Sequence, residues 1–366
     1  MSGLDRPGLS VYNGPMLSIC DLHLQIPAML APMAGVSDLP FRLMARKFGC
    51  PLAFAEMISA HALCLGNGRT NRFLESSSAD RPLGIQLLGR EPEYLRQAMD
   101  LIEPGSCDVI DLNAACPVRK VTRKGEGAAL LKEPRLLSKL VALLKARASV
   151  PVTVKIRSGW DPSSVNAREI GKRVADAGAD AVCVHGRTRS QGYGGRVDLG
   201  VIRSVKEAVS IPVIASGDLF SAKAVDKTLR ETGCDGVAIA RGALGNPWIF
   251  LEIAAVYGKR PSPPRPNIEQ LKEVMEEHLR LSVERRGEIL GVIDFRKFFI
   301  WYTKGLQNAR ILRPRAVRVN TPHEMRRLID ELGMPLSSGP HPSASQGSPY
   351  DPRQRWIALS KSGWPY

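Results

Sequence analysis

The sequence predicts an α/β fold, a closed (β/α)8 TIM barrel followed by a small all-α domain. Eight short apolar runs alternate with amphipathic stretches of helix length, and the runs are apolar throughout rather than alternating. That is the pattern of parallel strands covered by helices outside and filled by side chains inside. No GxGxxG links a strand to a helix, which argues against an open doubly wound sheet.

The predicted strands run from Ala28 to Ala34, Leu52 to Met57, Leu83 to Leu88, Val109 to Asn113, Val152 to Arg157, Ala181 to His185, Pro212 to Ser216 and Gly236 to Ala240. The helices between them include Leu39 to Phe48, Glu93 to Ile102, Pro134 to Ala146, Asn166 to Ala177, Val201 to Ala208 and Ala222 to Thr232. Residues 1–24 read as an N-terminal extension and 25–257 as the barrel. The proline-rich segment 258–267, containing PSPPRPN, reads as a hinge. Helical spacing resumes over 268–334, and 335–366 has no periodic apolar face and reads as a disordered tail.

The 366 residues leave ample material for a core. Lysine and arginine exceed aspartate and glutamate by 51 to 36, a net +15 that favours a polyanionic partner. The seven cysteines are scattered with no CxxC pair, so neither a disulfide framework nor a metal site is expected, and a reducing cytosol fits. No signal peptide or membrane span is expected, nor any obligate protein partner; a monomer is the simplest reading.

In such a barrel the chemistry sits where strands end. The first strand delivers Pro32, Met33 and Ala34, the third Gln86, the fourth Asn113 and Cys116, and the fifth Lys155 and Arg157. The sixth delivers His185, Arg187 and Arg189, the seventh Ser216, Gly217 and Asp218, and the eighth Arg241 and Gly242. Singly, Gln86, Lys155 and His185 are ordinary strand-end residues. At equivalent positions of successive βα units they read as one site. The glycine-bearing loops after the last two strands suit a phosphate, with Arg241 and His185 nearby.

Cys116 stands apart from the other cysteines, which read as packing residues. It follows a strand, precedes Pro117, and is trailed by Arg119, Lys120, Arg123 and Lys124 within the stretch from Asp108 to Lys124. Nearby cations favour a thiolate, whereas work as a general acid needs the proton retained; the sequence leaves both open.

The segments APMAGVSDLPFR, QLLG, DLNAACPVRKVTRKGEGAALL, VTVKIRSGWD, VHGRTRSQGY and IPVIASGD, in this order, resemble the tRNA-dihydrouridine synthases over roughly residues 25–330. The resemblance implies an FMN-dependent reductase of the C5–C6 bond of particular uridines in tRNA, with NADPH (or NADH) as co-substrate. It places FMN on Pro32, Met33, Ala34, Gln86, Lys155, His185, Ser216, Gly217, Asp218, Ala240 and Arg241, and makes Cys116 the proton donor. Lys155 suits the negative edge of a reduced flavin, and Gln86 can both donate and accept at the ring. Two positions depart from the family pattern: Ala115 stands where glycine usually precedes Cys-Pro, a strained choice if that residue needs φ > 0, and Ser216 stands where asparagine is usual.

Between Asp294 and Arg327 nine basic residues face two acidic ones, +7 by difference. By resemblance this helical domain grips tRNA. Its Arg296, Lys304, Arg313 and Arg315, with Arg119, Lys120, Arg123, Lys124, Arg187 and Arg189 at the barrel rim, are the expected RNA contacts. Phe295, Phe298, Phe299 and Trp301 read as core. The alternatives are a flavin reductase of a small pyrimidine-like substrate and a non-catalytic tRNA-binding protein.

Overall fold

The computed structural model describes residues 17–66, 72–307 and 309–334. The expected tail over 335–366 lies outside the described residues. The chain divides into two compact units, one running to Ala243 and taking in Trp248–Pro263, the other made of Leu244–Pro247 and the chain from Pro264.

The first unit is the closed barrel. A hairpin, β1 (Leu17–Ile19) and β2 (Leu22–Leu24), precedes the ring strands β3 (Ala28–Leu30), β4 (Ala53–Phe54), β5 (Ile58–Ser59), β6 (Leu83–Leu88), β7 (Val109–Ala114), β8 (Val152–Arg157), β9 (Ala181–His185), β10 (Val213–Ser216) and β11 (Gly236–Ile239). Every ring pairing is parallel, β11 pairs with β3, and β4 and β5 act as two pieces of one strand against β6. The single strand expected from Leu52 to Met57 is therefore broken. Ala55 still donates to the Gly84 carbonyl, after which the chain leaves the ladder and rejoins it at Ile58 opposite Leu87.

Inside the ring, side chains interlock with little space to spare. A Cβ on Gly84 would lie 2.3 Å from the Phe54 ring, so the missing side chain on β6 makes room for the aromatic one on β4. Leu17 and Ile19 of the hairpin join the same buried cluster as Met29, Phe54, Ile214 and Ala238. Leu17 also abuts Gly236, the first residue of β11, so the hairpin covers the end of the barrel where strands begin.

Local signals set the helix starts. Asp38, Ser59, Asp198 and Ser221 each accept a backbone N–H in the first turn of the following helix, and Gly233 ends helix Ala222–Thr232 at φ +68°. Beside the first helix, the buried Arg42 guanidinium donates to Asp80, Ser37 O and Glu75 O at 2.8, 2.7 and 2.7 Å, fixing the connection that leads into β6.

The second unit consists of helices Ile268–Arg286, Glu288–Tyr302, Ala309–Ala316 and Pro322–Asp330. Capping boxes at Asn267 and Thr321 start two of them. Gly291 lets the first two approach closely, since a Cβ there would lie 2.5 Å from Ser282 O. Phe295, Phe298, Phe299 and Trp301 are buried in this unit. At its centre His278 is fully buried, 3.0 Å from the Tyr302 hydroxyl and packed on Phe298 at 4.2 Å.

Burial pushes the His278 imidazole down to about 3. The unfolded chain takes up a proton near the ordinary imidazole value of about 6.5. Its stabilisation is therefore complete above that value and is lost as pH falls toward 3. The thermal midpoint of the full-length protein should fall between pH 7 and pH 5. His278→Gln should lower the midpoint at pH 7 yet flatten that slope, and an unchanged slope would rule out His278 as its source.

Candidate active site

At the end of the barrel where strands finish, polar residues recur every second position on β7 and β8, the period that turns side chains to one face. Asp111 and Asn113 lie on β7, Lys155 and Arg157 on β8, and strand register places Asp111 beside Thr153, Asn113 beside Lys155, and Arg157 beside His185.

These groups form a continuous chain. Thr153 Oγ1 donates to one oxygen of the buried Asp111 carboxylate at 2.5 Å, and Gln86 Nε2 donates to the other at 2.7 Å. Asn113 Nδ2 then donates to Gln86 Oε1 at 2.7 Å, while Asn113 Oδ1 accepts from the backbone N–H groups of Ala115 and Cys116 at 3.0 and 2.8 Å. Burial raises the Asp111 carboxyl to about 6, against the pull of Thr153, Gln86 and Lys155. Asp111 and Thr153 were not anticipated as site residues. The signal was present, because a carboxylate two residues before Asn113 in an otherwise apolar strand must face the same way.

The loop that carries Cys116 is closely held. Ala128 N donates to Cys116 O at 3.0 Å, and Gly127, at φ +60°, lies so near that a Cβ would come within 2.8 Å of that oxygen. From the neighbouring strand, Arg157 donates to Ala115 O at 2.8 Å and to Thr188 O and Gly192 O at 2.9 and 2.8 Å, tying together the loops after β7 and β9. Ala115 is not among the non-glycine residues at positive φ, so alanine introduces no left-handed strain there. Desolvation raises the Cys116 thiol above its ordinary value; a Val118 backbone hydrogen bond and the charges of Arg157 and Lys120 oppose this without reversing it. The balance at this thiol therefore runs toward the protonated form.

Around β8 to β11 the site is strongly cationic. Asp218, at φ +54°, receives Arg187 at 2.6 Å and Arg241 at 3.4 Å. The Arg187 guanidinium also donates to Gly194 O and Gly195 O at 2.9 and 2.7 Å, and Arg241 stacks over Tyr193 and Phe220 at 5.0 and 5.4 Å. Burial, reinforced by Arg157, Lys155, Arg187 and Arg241, pushes His185 well below its ordinary value and keeps it neutral. Gly217, at φ +112°, leaves no room for a side chain, since a Cβ would lie 2.7 Å from the His185 ring. Ser216 Oγ contacts Ala238 O at 3.5 Å. Lys155 Nζ contacts Cys183 Sγ at 3.3 Å and makes no ion pair among the described residues. Pro32 and Lys155 border a small cavity in the barrel interior with Asp111, Thr153 and Cys183.

The expected RNA contacts separate into two groups. Arg119, Lys120, Arg123 and Lys124 are exposed on the turn after Cys116. Arg189 is half-buried, donating to Thr122 Oγ1 at 3.2 Å and lying 4.6 Å over Trp160. Arg187 does not belong to this rim: its side chain is 2% exposed and its donors are taken by Asp218 and loop carbonyls. In the helical unit Arg296 donates to Val319 O and Asn320 Oδ1, Arg313 to Thr303, and Arg315 pairs with Glu331, while Lys304 is half-buried. Arg310, Arg318, Arg326 and Arg327 are exposed and form no ion pair among the described residues. The charge run alone did not separate these from the arginines that donate internally.

Residues 29–333 match the family described as Dihydrouridine synthase (Dus). The chain belongs to the dihydrouridine synthase family. It is 36% identical over 327 residues to the probable tRNA-dihydrouridine synthase 1 of Synechocystis sp., covering 89% of this chain and 91% of that one. Against tRNA-dihydrouridine synthase B of Xanthomonas axonopodis pv. citri the identity is 34%, with 87% and 96% covered. Among solved structures, 6-hydroxypseudooxynicotine amine oxidase from Pseudomonas geniculata matches with a TM-score of 0.54 at 14% identity, over 73% of this chain and 52% of that one, a likeness of fold. This chain thus spans about half the length of that oxidase.

As a dihydrouridine synthase the chain is a flavin-dependent oxidoreductase, and the barrel mouth is chemically suited to a flavin mononucleotide. Lys155 makes no ion pair among the described residues, and Arg187 and Arg241 bring two guanidinium groups to the single Asp218 carboxylate, a balance that suits a phosphate.

Because burial raises the Cys116 thiol, its alkylation by iodoacetamide should accelerate only at pH values above the ordinary thiol value of about 8.5. A rate midpoint below pH 8, followed by peptide mass spectrometry, would contradict a protonated resting thiol.

Proposed function

We propose that this protein reduces the C5–C6 double bond of specific uridines in tRNA, with FMN bound at the barrel mouth and Cys116 as the proton donor. When bound, FMN supplies the hydride and is recharged by a reduced nicotinamide, NADPH in our reading. The observation that carries the proposal is a half-buried thiol whose burial favours the protonated form, on a loop held by Asn113 and Arg157 of two strands, beside Arg187 and Arg241, which meet at the one Asp218 carboxylate.

Each residue has a physical task. Lys155 offsets negative charge at the flavin edge, and Gln86, its amide fixed by Asp111 and Asn113, presents its remaining N–H. Pro32, Met33, Ala34 and Ala240 supply walls, while Ser216, Gly217, Asp218 and Arg241 form the phosphate end with neutral His185. Cys116 gives its proton to C5 as hydride reaches C6, so the enolate-like charge is quenched as it develops. Arg119, Lys120, Arg123 and Lys124 attract the RNA backbone, and a uridine must leave its stack to reach the thiol. Arg310, Arg318, Arg326 and Arg327 are the cations of the helical unit best placed by exposure to meet phosphates.

Cys116→Ala should keep bound FMN and NADPH oxidation but lose dihydrouridine formation by roughly 10²–10⁴-fold, the usual worth of a positioned general acid. Undiminished tRNA reduction would remove the assigned role. Unmodified tRNA should reoxidise the reduced flavin far faster than free uridine, and more weakly as salt rises. Equal rates for the two substrates would favour a small-molecule reductase.

A further inference from the structure

We propose that Asp111, buried in the barrel interior away from the thiol, is the positioning residue that sets the direction of the hydrogen-bond chain holding the Cys116 loop. The proposal rests on the reading of Cys116 as the site's thiol only for its catalytic consequence, not for its geometry.

The argument is one of polarity. A carboxylate accepts only, whereas an amide has one donor end and one acceptor end. Because Asp111 Oδ2 can only accept from Gln86 Nε2, the carbonyl end of Gln86 must face Asn113. Asn113 must then turn its Nδ2 toward Gln86, which leaves its Oδ1 toward the chain ahead. Only that orientation meets the N–H groups of Ala115 and Cys116; the reverse would set donor against donor. Thr153 fills the other Asp111 oxygen, so the carboxylate is anchored at both ends. Each of the three side chains is at most 5% exposed, where water cannot replace a missing partner cheaply. The choice made at Asp111 is thus transmitted through two amides to the backbone that carries the thiol.

This polarity can be inverted as a test. Asp111→Ala removes the origin of the chain and frees Gln86 to flip. Asn113→Asp gives Gln86 Oε1 no donor and sets two carboxylates around one amide. The double variant Asp111→Asn with Asn113→Asp restores a complete chain running the other way, with residue 111 donating to Gln86 and Gln86 donating to residue 113, which still accepts from the loop.

The experiment measures site-specific iodoacetamide labelling of the full-length, FMN-saturated protein, with each cysteine resolved by peptide mass spectrometry. Labelling of Cys116 should rise about tenfold in Asp111→Ala and Asn113→Asp, the scale of one lost buried hydrogen bond. The double variant should return toward the wild-type rate. Buried Cys50, Cys107 and Cys234, outside the chain, should stay protected in all three. Unchanged Cys116 labelling in the single variants, a parallel rise at all buried cysteines, or no rescue in the double variant would each overturn the proposal. If Asp111→Ala fails to fold, the comparison of Asn113→Asp with the double variant decides alone. Labelling needs no tRNA and no turnover, so this claim can fail while uridine reduction stands, and the reverse.

Discussion

The site depends on the two-residue period of a β-strand imposed on a closed parallel ring. Once β7 turns Asp111 inward, Asn113 must follow, and once β8 turns Lys155 inward, Arg157 must follow. Ring closure then sets these pairs side by side in fixed register, so a hydrogen bond at the lower level and a charged group at the upper level are aligned without any loop having to place them. The loops finish the site, but the strands determine which groups can meet.

That arrangement concentrates positive charge where water is scarce. Arg157 and Arg187 are both nearly fully buried, and an uncompensated buried ion is costly. The structure offsets the cost in two ways. Arg187 has the Asp218 carboxylate together with two loop carbonyls, and Arg157 has three carbonyls from the two loops after β7 and β9. Backbone carbonyls satisfy the donors without cancelling the charge, so the mouth remains attractive to an anion. The same carbonyls bind the loops to the strands, which makes the cationic field and the rigidity of the Cys116 loop products of one set of contacts.

Much of this was legible in the residues. The bounds of β6, β8 and β9 follow the apolar runs, because a buried parallel strand is apolar along its whole length and ends where polarity returns. The β4 and β5 break was not, since Glu56 within the run from Leu52 to Met57 reads equally as one polar residue in a strand, and only the pairing with β6 reveals the interruption. The inward turn of Arg187 was equally hidden. HGRTR offers two arginines in one loop, and the distinction comes from Gly186, packed so tightly that a Cβ would meet Asp198 O at 2.5 Å, and from the Asp218 carboxylate contributed by a different strand end. Arg296, Arg313 and Arg315 show the same gap, because a charge run records cations but not the carbonyls and carboxylates that folding brings to them.

Cys116 illustrates how the sum of local effects differs from the most conspicuous one. Basic residues crowd the sequence after it, and proximity in sequence suggests a thiolate. Yet Arg119, Lys120, Arg123 and Lys124 are exposed, where solvent screens their charge, and Arg157, whose charge persists, opposes burial without outweighing it. Desolvation acts on the thiol itself and is not screened, so it prevails. On the proposed role of Cys116 as proton donor, that balance is what a general acid needs and a nucleophile does not.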